Sequence, residues 1–107
     1  MRLLPLASFI ALFGHLMTVS AYNEYKCLSG VRFYKHQIHE LKTQILEHRN
    51  GHQLTFVELD GDMPVYEFEN QNINGVKHLY QIKVNLTTEN LWVMEVINGV
   101  RHYCNPT

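Results

Sequence analysis

His36 and Glu40 stand one helical turn apart, and His39 lies three residues from His36. Metal proteins use such spacings to aim two ligands at one ion. A helix also needs a polar outer face, however, and histidine serves there without further role. His52, His78 and His102 are scattered, with no third ligand converging on the pair, so no metal or other cofactor is expected. Glu58, Asp60, Asp62, Glu67 and Glu69 form an acidic stretch, which is weak as an acid/base set because turns and strand faces collect such residues. The sequence holds no phosphate-cradling Walker loop and no G-x-S-x-G nucleophile elbow. Asn85-Leu86-Thr87 matches the N-glycosylation acceptor pattern, whereas Asn105-Pro106-Thr107 fails it through its proline.

Two cysteines, Cys27 and Cys104, leave a single pairing. The start of the chain sets their compartment. Arg2 gives a small positive region, Leu3 to Met17 is mostly apolar, and Val19-Ser20-Ala21 supplies small residues for cleavage. Residues 1–21 read as a signal peptide, so the product is expected outside the cell, where a disulfide between the chain's ends is the default. Neither cysteine has a second ligand at C-x2-C spacing, which argues against zinc. The remaining 86 residues, 22–107, suit one small domain. They carry all 10 acids and 8 of the 9 bases, a balance of −2 that excludes a strongly basic nucleic-acid clamp. No second apolar run approaches the ~20 residues of a membrane span, and no membrane association is expected.

These side chains need elements to place them. Ile38, Leu41 and Ile45, with Leu46 beside them, predict an amphipathic helix over 35–49, stopped by Asn50-Gly51. Before it, Tyr22 to Cys27 reads as a short strand and Ser29-Gly30 as a turn. After it the period falls to two. Leu54 to Leu59 and Val65 to Glu69 read as strands, with Tyr66 and Phe68 opposite Glu67. The polar run Asn70 to Gly75 reads as a loop. His78, Tyr80, Ile82 and Val84 line one face of the next strand, and Gln81 and Lys83 the other. Leu91 to Ile97 reads as a central strand, joined by the hairpin signal Asn98-Gly99 to a last strand, Val100 to Cys104. The expected fold is α+β, one amphipathic helix packed on a four- to five-stranded antiparallel sheet.

Three features carry a family resemblance: Tyr25-Lys26-Cys27 just after the signal peptide, the strand Pro64-Val65-Tyr66-Glu67-Phe68 after one helix, and a terminal cysteine. In these the chain resembles the ribonuclease-like secreted effectors of powdery mildew fungi, which carry a Y-x-C motif, here Tyr25 and Cys27. Those in turn are similar to the small guanyl-specific ribonucleases of fungi. The resemblance implies a microbial ribonuclease-like fold and places that family's catalytic glutamate at Glu67. The family's arginine falls on Gln81 and its acid histidine on Ile97, with Leu54 and Phe56 at the positions of assisting groups. Glutamine brings no charge to a phosphate and isoleucine cannot shuttle a proton. The implied protein is therefore a non-catalytic, monomeric effector, secreted to the extracellular space, with translocation into host cells left open. It would suppress plant immunity by binding a host defence protein or host RNA on a concave sheet face. Tyr80, Trp92 and Tyr103 are candidate base-stacking groups, and the net charge favours a protein partner. An active secreted ribonuclease using His78 or His102 is the alternative, and a secreted inhibitor or structural module a third.

Overall fold

The computed structural model describes residues 23–48 and 54–107; the proposed signal peptide, the Asn50-Gly51 stop and His52 lie outside them. Along the chain come β1 (Glu24–Lys26), β2 (Arg32–Tyr34), α1 (Lys35–Leu46), β3 (Thr55–Asp60), β4 (Met63–Ile73), β5 (Val76–Val84), β6 (Leu91–Ile97) and β7 (Val100–Pro106). The strands form one antiparallel sheet in the order β2-β1-β7-β6-β5-β4-β3.

This corrects the expected fold class. The protein is mostly sheet, a seven-stranded half-barrel with one short helix, rather than a helix on a four- to five-stranded sheet of the microbial ribonuclease type. Three features account for the extra sheet. The first strand, β1, joins it by pairing with β7. Arg32–Tyr34 buries only Phe33 and folds back on β1, and three residues are too few to show a period. The run Asn70 to Ile73 continues β4 as a two-stranded ribbon with β5, pairing Asn70 with Leu79 and Ile73 with Val76. Such a ribbon needs no apolar face, because ladder hydrogen bonds carry it. Only Asn74-Gly75 turns, both residues at positive φ (52° and 81°), as a tight hairpin requires.

The helix is set by its apolar stripe. Ile38, Leu41 and Ile45 are buried against Phe33, Tyr80, Ile82, Val84 and Val93. The Tyr34 N–H donates to Gln37 Oε1 at 3.3 Å, tying down the first turn. At the other end the chain leaves through His48 in a left-handed conformation, φ 55°. A bulge between Glu67 and Glu69 shifts the β4 register by one residue. Phe68 packs edge-on to Phe33, ring centres 5.0 Å apart, on the helix side with Tyr66, and the bulge brings Glu69 opposite Tyr80.

The sheet curls away from the helix. In a flat sheet β3 and β7, four strand steps apart, would be separated by about 19 Å. Here the Glu58 carboxylate of β3 meets the Arg101 guanidinium of β7. The face opposite α1 is thus the concave one.

Candidate functional site

Two cross-strand rows build the concave face. The first runs Thr55, Glu67, Gln81, Met94, Tyr103, and the second Glu58, Val65, Lys83, Trp92. Val65, Gln81, Lys83 and Met94 are buried although no helix covers them. The side chains of the face fill it themselves. Lys83 Nζ binds Asp60 Oδ2 at 2.9 Å and lies 5.1 Å and 5.7 Å from the ring centres of Trp92 and Tyr103. Its hydrogen bond to Asp60 outweighs burial and, with Tyr103, raises its pKa. The same bond and the charge of Lys83 hold the Asp60 carboxyl below its usual range. Arg101 Nε donates to Gln81 Oε1 at 3.1 Å while the same guanidinium holds Glu58. Lys83 and Arg101, the cations at the centre of this face, are therefore committed to carboxylates. The expected open concave surface is strapped over by β3 and β7 side chains.

Glu67 and Gln81 are direct register partners, side by side as their alternation implies. Ile97 is not with them. It pairs with His78 on the helix side, and the residue opposite Gln81 is Met94. Leu54 packs at the margin of the core, and the exposed Phe56 lies edge-on to Tyr66 at 5.6 Å. Tyr80 is fully buried on the helix side, so it offers no face to a base, whereas Trp92 is half-buried and Tyr103 exposed on the concave side. His36, His39 and Glu40 are exposed on α1. Asn85 closes β5, and its Oδ1 accepts the N–H groups of Thr87 and Thr88 at 2.9 and 3.0 Å. Tyr25 packs against the core, and Cys27 is bridged to Cys104, Cα atoms 4.1 Å apart.

A second constellation escaped the sequence reading. Glu95, fully buried on β6, accepts hydrogen bonds from Tyr80 Oη (2.8 Å), the Ser29 N–H (3.0 Å) and the Ser29 hydroxyl, and meets His78 Nδ1 at 3.1 Å. Burial alone would raise its pKa, but the bonds from Ser29, Tyr80 and His78 win and hold the carboxyl below its ordinary value. Burial, reinforced by Glu95 and Glu69 against an opposing hydrogen bond from Ser29, pushes the Tyr80 hydroxyl up to about 12. The available signal was one carboxylate inside the apolar run Leu91 to Ile97, with His78 and Tyr80 on one face of a neighbouring strand. Its role is mechanical: Ser29 belongs to the turn after β1, so this turn reaches across β7 to be pinned on β6.

Among the described residues no group of three or more His, Cys, Asp or Glu is placed to hold a metal ion, and no helix is long and apolar enough to cross a membrane. No known family model, curated protein or solved structure matches the chain.

Proposed function

We propose that the chain is a secreted protein that acts by binding, without turnover, and that its partner is a host protein rather than RNA. The concave face carries this reading. Its central cations, Lys83 and Arg101, are neutralised by Asp60 and Glu58, so an RNA strand entering at that centre would have to break two ion pairs to reach either of them. Glu67 faces Thr55 and Gln81, with Met94 next in the row, and none of these donates a proton to a leaving oxygen. The host setting is what the resemblance to powdery mildew effectors implies.

The test is a cleavage assay on mixed-base RNA, comparing the purified secreted protein with its Glu67→Ala variant. Both are expected to match buffer. Cleavage that disappears in the variant would overturn the non-catalytic reading. In a pull-down from plant extract, specific capture is expected to survive nuclease treatment; capture abolished by nuclease would replace the protein partner with RNA.

A further inference from the structure

β1 covers only part of β7. Tyr25 pairs with Pro106 and Lys26 with Asn105, and the ladder ends there. The Thr107 N–H donates to the Glu24 carbonyl at 2.8 Å, which fixes the parity of the strand. Successive residues of a strand aim their backbone groups at opposite neighbours. With Thr107 and Asn105 directed at β1, the odd residues Tyr103 and Arg101 also point that way, and the even ones point at β6. Cys27 and Cys104 then form the non-hydrogen-bonded pair between, in keeping with their 4.1 Å Cα separation. The next partner for Tyr103 would be Leu28, but there the chain leaves the sheet plane. The Gly30 N–H binds the Cys27 carbonyl at 2.9 Å, and Ser29 is drawn over to Glu95. The Glu95 latch therefore leaves the backbone N–H and C=O groups of Arg101 and Tyr103 at an open edge inside the sheet order.

A cleft of about 540 Å³ lies along this edge, lined by Lys26, Leu28, Arg101, His102, Tyr103 and Asn105 among others. Leu28 is 67% exposed and Tyr103 55%, apolar surface beside unpaired backbone. No Asp or Glu side chain lines the cleft. Arg101 is held by Glu58, so Lys26, exposed and with no ion pair among the described residues, supplies the free positive charge. Of the two outer edges, β3 is interrupted by a bulge between Phe56 and Glu58 and its charged side chains are acidic, while β2 is three residues long and its Arg32 is held by Glu24.

We infer that the open edge of β7 at Arg101 and Tyr103 docks an extended, acidic segment of a partner protein, added as a short antiparallel or parallel strand between β7 and the Leu28 turn. Main-chain bonds would give the affinity, and Leu28, Tyr103 and Lys26 the preference for a segment that carries both apolar and acidic side chains.

The inference rests on the binding reading above, but its test stands apart from it. The probe is a blocked six-residue peptide alternating valine and glutamate, titrated into the isotope-labelled secreted protein while its backbone amide resonances are followed. Saturable shifts and slowed amide exchange are expected at Arg101 and Tyr103. N-methylation of alternate peptide amides, made in both registers, is expected to weaken binding by about tenfold or more in one register, since edge pairing needs those N–H groups. Replacing glutamate by lysine in the peptide, or Lys26→Glu in the protein, is expected to weaken it several-fold. Absence of saturable shifts, equal binding of both N-methylated peptides, or shifts centred on β3 would each overturn the inference. A null titration beside specific, nuclease-resistant capture of a plant protein by the intact chain removes the edge and leaves the binding reading standing.

Discussion

Glu95 shows how one charged side chain shapes its surroundings. A carboxylate without solvent is costly unless its oxygens are satisfied, and here Ser29, Tyr80 and His78 satisfy them. Glu95→Gln keeps the volume but offers fewer acceptor sites, so donors are left unmatched in the core. The expected loss is about 1–3 kcal/mol, read from urea unfolding. The pH dependence has a definite sign. Because the folded pKa of Glu95 is depressed, its stabilisation is full above the ordinary carboxyl value of 4.5 and is lost as pH falls below it. The raised Tyr80 pKa works at the other end: its contribution is full below pH 10 and is lost as pH rises towards about 12. Acid unfolding of Glu95→Gln should accordingly be less steep than that of the parent protein; an unchanged acid limb would assign the low-pH transition to other groups. At this scale the sequence was legible wherever alternation sufficed, as for Glu67 and Gln81. Ile97 was misplaced because facing depends on register across β5 and β6. That register is set by the Asn85–Asn90 connection, closed by an Asn85 N–H bond to the Asn90 carbonyl, which no periodicity reveals.

Among the elements, the helix was the most readable, since a stripe of Ile38, Leu41 and Ile45 has one way to be buried. Leu41→Ala is expected to cost about 2–5 kcal/mol in chemical unfolding; a loss within about 0.5 kcal/mol would mean that this stripe is not the packed face. The β6–β7 hairpin was equally plain, because Asn98-Gly99 takes the positive φ pair, 51° and 78°, that a two-residue turn demands. The β4–β5 ribbon was hidden for the opposite reason. Its residues 70–73 pair through the main chain with little burial, and a polar sequence in such a place looks like a loop. The curl of the sheet was also unreadable, since it is expressed in a contact between Glu58 and Arg101, 43 positions apart.

For the molecule as a whole, the Cys27–Cys104 bridge ties the N-terminal hairpin to the last strand across a separation of 77 residues. Replacing both cysteines by alanine is expected to cost about 2–5 kcal/mol, measured as the difference in urea unfolding free energy; a change below about 0.5 kcal/mol would show that the β1–β7 ladder holds the hairpin without covalent help. The same closure also imposes an order in time. The hairpins β3–β4, β4–β5, β5–β6 and β6–β7 join neighbours in sequence, whereas β1 pairs with a strand some eighty residues away, and distant pairings are the slow ones. During vectorial synthesis β1 is made first yet its partner emerges last, so Cys27 must wait as a free thiol while the meander assembles. The bridge can then close only after β7 has been made, and a chain halted before Cys104 would keep a free thiol at Cys27.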